Sequence, residues 1–287
     1  MPSFSTRLAD GWERALDHLS LALVPLVLAL SRTDKIGSVL AYDGVHVSLR
    51  LGIPASVVTL WQFVDPPSSA EFTVTTGLPL SVPFAATLVP AYVALEAALY
   101  AGYFGAIAAA LVDRDRGFRA SVGAYFAPFL VVTVLPYLVV LPVALGLFGL
   151  GTLGGGALVA VLVLLPVLIV ASYLLWATPY LVVLRETGLV AAARGSYELA
   201  VGGAPYFAYT AGYAGIVLLV SPFLSFMVVS VPLVGLPVGL AVASVLGLAL
   251  NFVTMRFVAD IDPESPSAGS WTEAHAGTGG SPALEES

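Results

Sequence analysis

An all-α integral membrane protein, with six transmembrane helices, amphipathic interfacial helices and a small β-rich extracytoplasmic insertion, is the fold this sequence predicts. Of its 287 residues 59% are hydrophobic and 10% charged, which is more apolar surface than a water-soluble fold can bury. Several runs of about 20 residues or more lack Asp, Glu, Lys and Arg, the length at which a helix crosses a bilayer. The ionic residues gather in the segments between those runs, where water would meet them.

In chain order, residues 4–17 read as an amphipathic lead-in helix with Phe4, Leu8, Trp12 and Ala15 on one side. It runs into a first span over 19–31, short enough that part of the lead-in enters the interface or the bilayer is thin there. Asp10, Glu13 and Asp17, lying before that apolar run, argue against a cleaved signal peptide. From 33 to 82 the pattern changes. Val45-His46-Val47-Ser48-Leu49-Arg50-Leu51 alternates strictly, Asp43-Gly44 before it signals a hairpin turn, and 36–42 and Phe72-Thr73-Val74-Thr75 are candidate partner strands. An irregular surface loop is the alternative for this insertion.

The second span, 83–112, carries Ala94, Ala98, Gly102, Ala106 and Ala110 every four residues, a ridge that admits close helix approach. The third covers 125–149, and a Gly-rich turn leads to the fourth, 157–184. That turn has no Lys or Arg nearby and does not read as a phosphate cradle. The fifth span is 204–231 and the sixth 235–258, where Gly235, Gly239, Ala243, Gly247 and Asn251 make a second ridge. Residues 1–258 thus form a polytopic membrane domain. The tail 259–287, with six acids and many Gly, Ser and Pro, is expected to be a disordered cytoplasmic segment.

Placing both termini in the cytoplasm puts Arg7, Arg14, Arg114, Arg116, Arg119, Arg185, Arg194 and Arg256 inside and leaves Arg32, Lys35 and Arg50 outside. The predicted location is the cell membrane. The net charge of −7 comes with a single lysine, Lys35, and no basic patch suits a nucleic-acid partner. Low lysine, abundant Ala, Val and Gly, and acidic exposed ends suit a salt-loving source, although GC-rich bacterial composition has a similar profile. No cysteine occurs, and His18, His46 and His275 lack ligand spacing, so no metal or cofactor is expected.

A short internal repeat sits on the cytoplasmic side. Residues 114–120 and 185–191 share Arg, acid, any, Gly, apolar, any, Ala, as a duplicated helical hairpin would, or as two loops obeying the same capping and charge rules would. The second copy lies in the stretch that organises the chain, from Trp176 to Gly203. Thr187 reads there as the N-cap of an amphipathic helix, Gly202 and Gly203 as its stop, and Arg194 and Glu198 as an i,i+4 pair. Leu189, Ala193, Tyr197 and Ala200 share the face expected to rest in the acyl boundary.

Thr178-Pro179-Tyr180-Leu181-Val182-Val183-Leu184-Arg185-Glu186-Thr187-Gly188, with Ala191 to Ala193, Arg194 and Ser196, resembles a signature of six-helix membrane families. These include the membrane domain of some glycerophosphodiester phosphodiesterases and several families of unknown function, and the composition points to a haloarchaeal member. The signature often has paired arginines where this chain has Arg194 alone between Ala193 and Gly195. The resemblance implies the fold and no activity, because those phosphodiesterases carry catalysis in a separate soluble barrel.

For chemistry, Glu96 is the one acid deep inside an apolar run, with Tyr92 and Tyr100 one turn away on either side; it reads as a proton or cation site or as a tyrosine-bonded interfacial carboxyl. Asn251 suits an interhelical hydrogen bond. Arg114, Arg116, Arg119, Arg185 and Arg194 are candidate contacts for anionic lipid headgroups, or serve topology alone. Tyr206, Tyr209 and Tyr213, and Tyr173, Trp176 and Tyr180, read as interfacial belts. No catalytic motif occurs. The reading is a non-enzymatic membrane protein organising the bilayer through lipid or protein contacts, with homo-oligomerisation open. The alternatives are a small transporter or export factor using Glu96 and a membrane subunit of a larger complex.

Overall fold

The computed structural model describes residues 3–54, 56–67, 85–112, 114–148 and 155–268, and side chains there except those of 85–87, 139–164 and 204. Among them are ten α-helices, two short 3-10 turns and no strand. The helices are α1 (Phe4–Asp17), α2 (Leu23–Leu30), α3 (Thr33–Ala41), α4 (Ala85–Leu111), α5 (Phe118–Phe148), α6 (Gly155–Leu175), α7 (Thr178–Leu184), α8 (Leu189–Val201), α9 (Ala204–Ser230) and α10 (Pro232–Ile261). Five stretches are long and apolar enough to cross a membrane: Leu88–Leu111, Phe118–Leu138, Leu165–Leu184, Pro205–Ser230 and Pro232–Ile261. The chain is a multi-pass helical membrane protein. Where six such spans were expected, the first, Leu19–Leu30, is too short to count with these five.

The axis of the fold is the α9–α10 hairpin. Its glycine ridge works as the spacing predicts: Gly235 sits under the Met227 carbonyl, backbone on backbone, and Gly239 receives the Val228 side chain, so α10 approaches α9 closely at both. The α4–α5 hairpin has the same logic, with Gly102 against the Phe118 ring and Gly105 against Ser121. α5 begins seven residues before the predicted third span.

α1 turns both its polar side and most of its apolar side to the protein, with Phe4 against Tyr209 (5.5 Å between ring centres) and Leu8 packed on the core. Arg7, Asp10, Gly11 and Ala15 are buried, and Trp12 is exposed. The helix runs antiparallel along α10, with Arg7 bridging Asp260 at 4.0 Å, Asp10 paired with the fully buried Arg256, and Gly11 against Val253. Arg7 also stands over the Phe257 ring, 4.8 Å from its centre. The polar face of α1 turns inward, where Arg7 and Asp10 find charged partners on α10. The aromatic stripes behave likewise. Trp176, Tyr180, Tyr206, Tyr209 and Tyr213 are buried, not an interfacial belt. Trp176 stacks on Tyr206 at 4.4 Å, and Tyr209 on Phe257 at 4.0 Å.

The predicted fourth span is broken at Trp176–Ala177, after which α7 lies wholly buried in the core. Pro179 falls in the first turn of α7, where its missing N–H leaves no gap. At the other end Glu186 takes the left-handed conformation (φ 49°), and the Thr187 N–H reaches back to the Val182 carbonyl, closing the helix. α8 begins at Leu189, so its N-cap is Gly188 and not Thr187, with no side-chain cap hydrogen bond. Gly202 and Gly203 end α8 as expected, Gly203 at φ 131°. The buried face of α8 is Ala192, Gly195, Ser196 and Ala200, while Tyr197 faces outward. The tail does not begin at Ala259: α10 continues to Ile261, and Asp262 and Ala268 are buried.

Candidate functional site: a polar pocket walled by an inserted extended segment

The predicted β-rich insertion is the largest departure from expectation. Residues 33–41 are α3, and the candidate strand at 72–75 lies outside the described residues. The alternating stretch 45–51 is extended, but it pairs with a helix. The N–H groups of His46, Ser48 and Arg50 donate to the hydroxyls of Ser230, Ser225 and Ser221 on α9, at 3.0, 3.1 and 3.1 Å. Serines four or five residues apart on a helix are separated by about 6–7.5 Å along its axis, close to the roughly 6.6 Å repeat of alternate residues in an extended chain. Val45, Val47, Leu49 and Leu51 face outward and are exposed. The alternation was a true two-face signal, with the polar face inward.

The segment runs down α9 from Ser230 until Gly52 meets Val217, a descent of about 20 Å at 1.5 Å per helical residue. It turns at the level of Asn251. The Asn251 side-chain oxygen accepts from the Val58 N–H (3.1 Å) and the Tyr103 hydroxyl (3.0 Å). Its nitrogen donates to the Ser56 carbonyl (3.1 Å) and the Tyr180 hydroxyl (2.9 Å). Gly247, one turn earlier, makes room for the Val58 carbonyl. The chain then climbs through the 3-10 turn Leu60–Gln62, held by Trp61 donating to the Ala29 carbonyl (2.8 Å) and Tyr213 donating to Gln62 (2.9 Å). It returns to its starting level at Asp65, whose N–H reaches the Ser48 hydroxyl and whose carboxylate bridges Arg50 at 2.7 Å.

Between this loop, α2, α3 and α4 lies a pocket of about 430 Å³. Arg32, Lys35, Arg50, Asp65 and Glu96 supply its charged lining, beside Tyr100 and Gln62. Asp65 stands exposed at the rim, whereas Glu96 is only 6% exposed, eleven residues into α4. The Tyr100 hydroxyl donates to Glu96 Oε1 at 3.1 Å, and Oε2 is buried with no hydrogen-bond partner among the described residues. Lys35 lies over the Trp61 ring, 5.6 Å from its centre. Burial first, then Arg50, holds the Lys35 ammonium below its ordinary pKa, with Asp65 opposing. Neither Arg32 nor Lys35 has an ion-pair partner among the described residues.

Of the residues singled out from sequence, Glu96 and Tyr100 share this pocket, Tyr92 reaches away to Ser31 (3.2 Å), and Asn251 stands behind the wall, holding Ser56 and Val58. Arg32, Lys35 and Arg50 were assigned to topology alone. Their convergence depends on the loop's return, which no local pattern announces.

The arginines at the opposite end do not converge on an open anion site. Arg114 and Arg116 both bind Glu186 (3.0 and 2.9 Å), Arg194 pairs with Glu198 (3.0 Å), and Arg119 is exposed. Arg185 binds Asp262 (2.5 and 2.8 Å) and Glu264 (2.6 Å). The Asp262 hydrogen bonds raise the Arg185 pKa. Burial works against ionisation of Asp262, but Arg185, the Ser265 hydroxyl and the Glu264 N–H outweigh it and hold the carboxyl below its ordinary range.

Fold and site together define a multi-pass helical membrane protein with an extended loop inserted between its helices and a charged pocket beside it. Compared with known family models, curated proteins and solved structures, the chain matches none.

Proposed function

We propose that this protein binds a small polar solute in the pocket around Glu96 and moves it across the membrane, as a small carrier or export factor and not as an enzyme. The observation that carries the reading is the cavity that the inserted loop 45–67 closes against α2, α3 and α4, whose wall holds a half-satisfied carboxylate, Glu96, and two cations, Arg32 and Lys35, without an ion-pair partner among the described residues. Irregular backbone among membrane helices is tolerated where it lines a cavity, and buried ionisable groups there cost free energy that function must justify. The broken α6–α7 helix, with α7 packed on α4, is the second discontinuity in the bundle.

The protein crosses the bilayer six times, α1, the turn Leu19–Ala22 and α2 forming one composite first span; the antiparallel contact of α1 with α10 supports this. Both termini lie in the cytoplasm. Arg7, Arg185 and Arg256 gather at one end of the α9–α10 hairpin and Arg50 beside its other half, which supports that orientation under the positive-inside rule.

Purified protein in liposomes tests the function by counterflow of a panel of small charged and zwitterionic solutes. Flux is expected with the native chain, and a loss of at least about tenfold with Glu96→Gln, the scale of one hydrogen bond to a charged group. No flux of any solute from a folded protein would overturn transport. A second reading, membrane organisation through lipid or protein contacts, draws on α6, where Leu165 and Val167 to Val170 are exposed.

A further inference from the structure

We infer that the ligand of this pocket is a zwitterion, an ammonium and an anionic group on one small skeleton. The inference rests on the proposed binding role and specifies its substrate class. Asp65 already neutralises Arg50, so the charges left for a ligand are Arg32, Lys35 and Glu96. Glu96 lines the cavity; its Oε1 is taken by Tyr100, and its Oε2 is a buried acceptor without a hydrogen-bond partner among the described residues. A bare acceptor on a carboxylate calls for a donor, and an ammonium supplies it with charge. Arg32 and Lys35, both half-buried, call for an anion.

A ligand with only an anionic end leaves Glu96 uncompensated, and one with only an ammonium is repelled by the cations. A zwitterion meets both ends, and a cavity of about 430 Å³ lies toward the small end of the roughly 300–1,000 Å³ typical of ligand sites. Two sources carry this chemistry: a free amino acid-like solute, and the headgroup of an ethanolamine lipid reaching in beside the loop.

The test is calorimetric binding at pH 7 to the full chain in nanodiscs of phosphatidylglycerol. The zwitterions β-alanine and phosphoethanolamine are titrated against their halves, propionate, ethyl phosphate and ethylamine. At least one zwitterion is expected to bind ten- to a hundredfold, on the order of one charged hydrogen bond, more tightly than either of its halves. Glu96→Gln should reduce zwitterion affinity to that of the anionic half, and Arg32→Gln with Lys35→Gln should abolish both. Should Glu96→Gln fold poorly, the comparison of each zwitterion with its halves on the native chain still decides the proposal.

A half that binds as tightly as its zwitterion, or a preference unchanged in Glu96→Gln, overturns the zwitterion and leaves the binding role standing. Absence of binding by every probe overturns both. Adding phosphatidylethanolamine to the nanodisc assigns the source: competition with the free probe means a headgroup, and none means a solute. Either result supports the site.

Discussion

Asn251 uses both lone pairs of its side-chain oxygen and both amide hydrogens, and its four partners come from α4, α7 and the inserted loop. No other amide in the described core joins so many elements. Its place on the small-residue ridge was legible, because 251 follows 247 by one helical turn. Its partners were not, since Ser56 and Val58 lie nearly 200 residues earlier in the chain. Replacement by alanine would strand two tyrosine hydroxyls, one N–H and one carbonyl away from water. A destabilisation of about 3 kcal/mol is expected, well above the average interhelical hydrogen bond in a membrane protein, because several groups lose partners together. Reversible unfolding of Asn251→Ala in mixed micelles measures it, and a loss under about 1 kcal/mol would mean that water takes over the amide's role.

At the scale of elements, the extended loop shows what period alone can and cannot determine. Alternation at 45–51 correctly announced two faces, yet it could not say whether the partner was a strand or a row of serines, nor that the apolar side would be the exposed one. On α1 the amphipathic pattern named Phe4, Leu8, Trp12 and Ala15 as one side, of which Phe4, Leu8 and Ala15 do pack on the protein, but it gave no sign that Arg7 and Asp10 would be buried with them against α10. Gly247 is where the loop presses hardest on a helix. A Cβ there would overlap the Val58 carbonyl oxygen, backbone that cannot swing aside. Gly247→Ala should therefore cost about 1–3 kcal/mol by overpacking and enlarge or empty the turn at Asn251. Gly37→Ala, on α3 with nothing within 4 Å of a new Cβ, should be neutral or stabilising by up to about 1 kcal/mol. Thermal unfolding of the pair in one detergent separates the two cases, and equal effects would refute the claim that the loop seats on Gly247.

Across the whole molecule, one end of the bundle is fastened by charge. Arg114 and Arg116 from the α4–α5 connection meet Glu186 after α7, Arg185 beside it holds Asp262 and Glu264 beyond α10, and Asp10 of α1 holds Arg256. The paired loops at 114–120 and 185–191 thus share more than spacing, for the acid of one receives the arginines of the other and each precedes a helix begun after glycine. Asp262 makes this fastening sensitive to acid. Its carboxyl is held below the ordinary range by Arg185, Ser265 and the Glu264 N–H against the opposing effect of burial. A depressed carboxylate stabilises the folded state fully above its unfolded pKa, about 3.9 for aspartate, and that contribution is lost as pH falls through the lower folded value. Arg185 stays charged throughout, with Glu198 and Glu264 reinforcing it, so protonation of the acids is the event that releases residues 262–268. A spin label at position 268, in a chain with no native cysteine to confuse it, should be immobile at pH 7 and become mobile below about pH 4. Arg185→Gln should free the label already at pH 7, because the buried aspartate then loses the partner that keeps it ionised. A label that stays immobile in both conditions would show that apolar contacts of Ala268, and not the ion pair, hold the start of the tail against the bundle.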